Sequence, residues 1–180
     1  MSQSSTQWWK SVKKDGEKLV EWLKNQYHGE VTAADRIERY CSSRAPEEWK
    51  ETLAKIAMQE RMHAVWVGEL LKRRGHEPKV LEKNERYWNE TLGQIEDFET
   101  ACAVAAHAED MRLRRIEVIS TDMKGPADVR NVFKRILRDE RFHAKAFAKM
   151  AGPAALADTK SAHEKGMEAI GLVTFAEAGA

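Results

Sequence analysis

Apolar residues recur at helical spacing along most of the chain. Leu19, Leu23, Ile37 and Cys41 form one stripe, and Trp49, Leu53, Ile56, Val67 and Leu70 a second. Cys102, Ala105, Leu113, Ile116 and Ile119 form a third, and Val129, Phe133, Ile136, Phe147 and Met150 a fourth. Steps of three and four residues put such side chains on one face of an α-helix, and no stretch reads as a strand. Gly and Pro act as punctuation. Pro46 follows Ser42-Ser43-Arg44-Ala45, Pro126 follows Gly125, and Pro153 follows Gly152. Each reads as a helix stop and a new start with proline in the first turn. Gly75 ends a further run, with Pro78 just beyond it. The pattern predicts four long helices: A near 17–44, B near 47–74, C near 93–121 and D near 126–151. A weakly helical segment follows at 154–178.

The fold class this implies is all-α, a four-helix bundle. The A–B and C–D connections are very short, so each pair should form an antiparallel hairpin. The B–C connection, residues 75–92, is a charged stretch that includes Tyr87 and Trp88. A helix of 28 residues is about 40 Å long, whereas eighteen extended residues reach roughly 55–60 Å. This connection can therefore run the length of the bundle, as a single long crossover. The expected division is an N-terminal arm over 1–16, anchored by Trp8 and Trp9, the bundle over 17–151, and a C-terminal helical segment over 152–180. In that last segment Met167, Ile170, Val173 and Phe175 keep roughly helical spacing, which suits a docking helix or a homodimer contact.

Composition narrows the function classes. With 180 residues and a formal charge of +1, the chain has no electrostatic footprint for nucleic acid or acidic lipid. Its apolar runs are too short to span a bilayer, and residues 1–18 lack the apolar centre of a secretory signal. The expectation is a cytoplasmic protein with no integral membrane segment and no nucleic-acid partner. The two cysteines, Cys41 and Cys102, make no CxxC pair, so they cannot build a zinc-ribbon or rubredoxin-type site. Both fall on apolar helix faces and read as core residues.

The second half of the chain echoes the first. Gln59-Glu60-Arg61-Met62-His63-Ala64 corresponds to Asp139-Glu140-Arg141-Phe142-His143-Ala144 at an offset of 80, and His28-Gly29-Glu30 to His107-Ala108-Glu109 at an offset of 79. Arg36-Ile37-Glu38 corresponds in turn to Arg115-Ile116-Glu117. Two similar hairpins joined by a crossover imply a bundle with a pseudo-two-fold axis, in which repeated features face the centre twice.

Those features are metal-ligating. Each ExxH pair sets a carboxylate and an imidazole on one helix face. One Glu from each of two helices, with Glu-x-x-His from each of the other two, is a ligand set for two carboxylate-bridged ions. Chance alone supplies close to one ExxH pair in a chain this rich in glutamate, so phase matters more than the motif. Glu60 and His63 interrupt the stripe of helix B, and Glu140 and His143 that of helix D. Glu30 lies seven residues from both Leu23 and Ile37, and Glu109 seven from both Cys102 and Ile116. All four Glu should face the core, each near the middle of its helix. Four buried carboxylates without partners would cost several kcal/mol each, and two divalent cations would neutralise them. The competing reading is a set of buried ion pairs with Arg112 or Arg36.

His28 and His107 stand two residues before a core Glu, roughly 200° round the helix, and are expected at the surface or behind the ligands. His76 and His163 lie in or near connections. Glu38 and Glu117 are expected to pair with neighbouring arginines.

At this point the chain resembles the ferritin-like di-iron superfamily, and within it the rubrerythrin-like group, over about residues 17–151. The resemblance implies that Glu30 and Glu109 are the single-Glu ligands, and Glu60 with His63 and Glu140 with His143 the paired ones. It implies two iron ions, with Mn possible and Zn also compatible with the donors. It also implies a di-iron oxidoreductase that activates O2 or H2O2 and draws on an external electron donor. The alternative is a ferroxidase or iron-binding protein with no organic substrate. Gly29-Glu30-Val31-x-Ala33, with Arg36-Ile37 downstream, is also similar to the first motif of demethoxyubiquinone hydroxylases. Those enzymes carry apolar segments where this crossover is charged. Rubrerythrins place an additional Glu three residues after the helix C ligand, where this chain has Arg112.

Overall fold

The computed structural model describes residues 4–172, and every regular element among them is helical. Helix α1 spans Ser5–Val12, α2 Gly16–Arg36, α3 Glu47–Lys72, α4 Arg86–Thr91, α5 Phe98–Thr121 and α6 Ala127–Ala169. Among the described residues no helix is long and apolar enough to cross a membrane. Val173 and Phe175, half of the expected C-terminal apolar stripe, lie outside the described residues.

Local chemistry sets the helix ends. Asp15 caps α2, accepting from the backbone N–H groups of Glu17 and Lys18. Pro46 and Pro126 occupy the N-cap positions of α3 and α6, one residue ahead of the expected first turn. Helix α5 begins later than the expected 93, because Leu92–Gln94 form a 3-10 turn and Asp97 then caps the helix in a reciprocal box with Thr100. Helix A is not uniform. Beyond Arg36 it continues as a π-helical turn over Ile37–Cys41 and a 3-10 turn over Ser42–Arg44. Helix D passes residue 151 into a second helical stretch, and the two meet at Gly152, whose φ of 70° breaks the helix before Pro153.

The residues expected as an N-terminal arm include α1, which packs into the bundle. Trp9 is buried, and its Nε1 donates to Asp122 Oδ2 at 2.9 Å. Trp8, Trp9 and Trp22 stack edge to edge, and Trp22 lies against Phe133 with ring centroids 5.0 Å apart.

Two apolar clusters make up most of the core, beside a smaller one of Tyr87, Ala108 and Met167. One joins Leu19 and Leu23 of α2, Val67, Leu70 and Leu71 of α3, Ile116 and Ile119 of α5, and Val129, Phe133 and Ile136 of α6. The other joins Ile37 and Cys41, Leu53 and Ile56, Phe98 and Cys102, and Phe147 and Met150. The start of α2 thus shares an end of the bundle with the start of α6 and the ends of α3 and α5. Helices α3 and α5 run parallel, and the crossover must travel the whole bundle. Of the expected core positions, Trp49, Ala105 and Leu113 are only partly buried. Cys41 and Cys102 are buried free thiols of the second cluster, as expected.

The crossover lies along α2. The backbone N–H of Leu81 donates to His28 Nδ1 at 3.1 Å, Glu85 pairs with both His28 and Arg36, and the Arg36 guanidinium lies 4.1 Å from the Trp88 ring. Tyr87 of α4 packs on the second stretch of α6. A Cβ at Gly166 would meet its ring at 2.7 Å, so only glycine permits this approach.

Candidate metal centre

Between the two apolar clusters lies a polar layer. Glu30, Glu60, His63, Glu140 and His143 have no exposed surface, and Glu109 is 4% exposed. All six expected residues meet there, one Glu from α2, one from α5, and a Glu-x-x-His pair from each of α3 and α6. They form two overlapping groups. Glu30, Glu60, His63 and Glu140 make one, and Glu60, Glu109, Glu140 and His143 the other, with the donor atoms of each within 4.8 Å of one another.

The two shared carboxylates divide their oxygens. Glu60 Oε2 lies 3.8 Å from His63 Nδ1, while its Oε1 lies 3.0 Å from His143 Nδ1. Glu140 Oε1 lies 3.6 Å from His63 Nδ1, while its Oε2 lies 3.7 Å from His143 Nδ1. Glu30 Oε2 completes the first group at 3.7 Å from His63 Nδ1. Donor atoms about 2.1 Å from a tetrahedral ion stand about 3.4 Å apart, close to these separations.

The donors also lack partners. Both oxygens of Glu60 and of Glu140, Glu109 Oε2, and Nδ1 of His63 and of His143 are buried with no hydrogen bond. Among the described residues the only other such atom is Arg130 Nε. Buried polar atoms are nearly always satisfied, so this concentration at one level marks a place where a ligand fits. Carboxylate oxygens with two imidazoles suit Fe, Mn or Zn.

The far sides of the imidazoles are held. His63 Nε2 lies 3.3 Å from Asp139 Oδ2, and His143 Nε2 lies 3.1 Å from Gln59 Oε1. With Nδ1 aimed inward, Nε2–H donates outward and fixes ring and tautomer, an arrangement typical of metal-ligating histidine. Gln59 and Asp139 occupy the same position of the repeat, each directly before a buried Glu of the layer. The signal for them was their place in both motifs. Glu30 accepts from Gln26 Nε2 at 2.5 Å, one turn back on α2.

Arg112 enters the same layer. Its Nη2 donates to Glu30 Oε2 at 2.6 Å and lies 3.1 Å from Glu140 Oε1, while its Nη1 lies 3.8 Å from both Glu60 and Glu109. It stands three residues after Glu109, and that spacing places it on the ligand face. Arg36, the other arginine of the ion-pair reading, turns away to Glu85.

Electrostatics in the layer follow from this crowding. Burial raises the Glu109 carboxyl well above its ordinary range, helped by Glu140, and burial also raises Glu30 against the pull of Arg112. For Glu140 burial is outweighed by Arg112 together with Glu109 and His143, and the carboxyl is held down to about 2. Glu60 is likewise held well below its usual value, where Arg112 and the two imidazoles overcome burial. Burial would lower His63, but Glu30 and Glu60 outweigh it and push the imidazole up to about 11. Glu140 and Glu60 do the same for His143, to about 9. A divalent ion would replace these protons as the countercharge.

The remaining expectations separate cleanly. His28 is buried rather than at the surface, because its side chain faces the crossover on the far side of α2. His107 bonds Thr159 Oγ1 at 3.1 Å and stacks on His163, whose Nδ1 meets the Tyr87 hydroxyl at 2.8 Å. Neither His28 nor His107 belongs to the donor groups. Glu38 pairs with Arg61 and Glu117 with Arg141, the same contact in each half of the repeat.

A family model described as Rubrerythrin matches residues 21–151. No curated protein and no solved structure gives a significant match. The match covers well over half of the chain, including most of the bundle and all six residues of the polar layer, and the chain belongs to the rubrerythrin family.

Proposed function

We propose that Glu30, Glu60, His63, Glu109, Glu140 and His143 hold two metal ions, iron in the first place, and that the protein is an oxidoreductase acting on O2 or H2O2. The observation that carries the reading is the divided geometry of Glu60 and Glu140, each with one oxygen toward either imidazole. When bound, a pair of redox-active ions supplies two electrons together and polarises an oxygen substrate. The side chains do the rest. Glu60 and Glu140 would serve both ions, Glu30 and His63 would hold one, and Glu109 and His143 the other. Asp139 and Gln59 keep both Nδ1 atoms inward. The apolar clusters on either side of the layer keep bulk water out. Residues 17–151 constitute the working unit, and a separate protein or small reductant serves as electron donor.

Oxidation of iron without an organic substrate would use the same six ligands, so one experiment is built to separate the two. The protein is loaded with Fe(II) without oxygen, freed of excess iron, and given H2O2 or O2 with a reductant present. Many turnovers per centre support the oxidoreductase, whereas oxidation only in proportion to added Fe(II) supports iron handling. Retention of fewer than about one ion per chain after reconstitution would sink the metal centre itself.

A further inference from the structure

The backbone repeats itself across the layer, but the charge does not. Arg112 has no counterpart in the first half of the chain. The residue three places after Glu30 is Ala33. Resting on the di-metal reading, we propose that Arg112 makes the two metal positions unequal, weakening the one built on Glu30 and His63 so that the one built on Glu109 and His143 fills first.

The guanidinium touches the oxygens of one position far more closely than those of the other. Arg112 Nη2 donates to Glu30 Oε2 at 2.6 Å and lies 3.1 Å from Glu140 Oε1. Those are the two oxygens nearest His63 Nδ1, at 3.7 and 3.6 Å. On the other position its closest approach is 3.8 Å, to Glu109 Oε2. An ion entering beside His63 must either displace the guanidinium or share both oxygens with it. Displacement loses a charge-assisted hydrogen bond, worth roughly a tenfold to a hundredfold in affinity. Sharing leaves a cation against a cation in a buried layer and draws electron density from the same oxygens. Either route weakens the Glu30 side.

One feature opposes this. His63 is backed by the carboxylate of Asp139 and His143 by the neutral amide of Gln59. Loss of such a backing group costs about tenfold to a hundredfold in metal affinity, but both rings keep one, so only the difference between Asp and Gln favours the His63 side. Asp139 also faces Arg138 Nε at 3.5 Å, which draws on its charge. The direct contacts of Arg112 therefore decide the order.

The test is a Co(II) titration of metal-free protein, read by visible absorbance and by metal content after gel filtration. Wild type should bind two ions in separate steps, with dissociation constants at least about tenfold apart. His143→Ala should remove the tight step and His63→Ala the weak one, which assigns each step to a position. Arg112→Met, which keeps the apolar stem, should tighten the weak step by about tenfold or more and bring the two constants together. Arg112→Lys, a point charge without the fork, should fall between. The lysine variant and the two histidine variants keep the inference testable if the methionine variant does not fold. Loss of the tight step in His63→Ala, or a ratio of constants unchanged in Arg112→Met or Arg112→Lys, would overturn it. Two ions bound in one step by wild type would overturn this inference and leave the di-metal reading standing. Failure to bind cobalt at all would remove both.

Discussion

Replacing Glu109 by Gln should stabilise the metal-free protein and cost the metal-bound one. Glu109 is buried, and burial together with Glu140 raises its carboxyl well above the ordinary 4.5. The sign follows from proton counting. A carboxyl whose value is raised by folding takes up a proton on folding, so its stabilisation is complete below 4.5 and is lost as pH rises toward the raised value. Within that window the wild type loses about 1.4 kcal/mol per pH unit. An amide has the shape of the protonated acid and no proton to lose, so Glu109→Gln escapes that slope. In chelator the variant should therefore gain on wild type by roughly 3–6 °C in Tm per pH unit above 4.5. Metal reverses the order. An ion held at a hundred times its dissociation constant adds about 2.7 kcal/mol, or roughly 5–11 °C here, and the variant lacks a terminal ligand on one position. Thermal unfolding at pH 5, 6 and 7, with chelator and with Mn(II), reads both effects. A variant less stable than wild type throughout in chelator would refute the raised carboxyl. One that keeps the whole metal-induced gain would refute Glu109 as a ligand.

Three further perturbations probe other parts of the molecule. Phe133→Ala empties a fully buried site against Trp22 and should cost about 3–5 kcal/mol equally with and without metal; a loss under about 1 kcal/mol in denaturant titration would mean the core is not packed this way. Gln59→Leu removes the acceptor for His143 Nε2 and should weaken metal binding by about tenfold to a hundredfold with little change of Tm in chelator; unchanged affinity by calorimetry would show that the amide does not orient the ring. Gly166→Ala sets a methyl 2.7 Å from the Tyr87 ring and should destabilise by about 1–3 kcal/mol, and an unchanged Tm and near-UV spectrum would disprove the packing of α4 on α6.

The bundle, its crossover and the meeting of the six side chains at one level are legible because each depends on periodicity or reach. Glu30 keeps the seven-residue phase of Leu23 and Ile37, and all three are buried. What escaped depends on partners distant in sequence. His28 is expected at the surface or behind the ligands because it points away from Glu30, and it does point away, toward the crossover. Burial came instead from the crossover, which pairs residues 28 and 85 across a charged stretch with no hydrophobic period of its own. Helix D was expected to end at 151 on the strength of Gly152 and Pro153. The break is there, but a second helical stretch starts at once, because the two residues that end one helix also begin another. Gln59 and Asp139 stood in plain view beside the motif, yet only the meeting of α3 and α6 places each against the opposite histidine.

A repeat explains why a two-position centre can arise, and departures from it explain how such a centre becomes directional. Glu38 with Arg61 and Glu117 with Arg141 are the same contact made twice, and they hold the two halves to the same geometry on the outer faces. Inside, the symmetry is broken at Arg112 against Ala33 and at Asp139 against Gln59. Both departures change charge within the layer, so the surroundings of His63 and of His143 differ although the helices around them repeat.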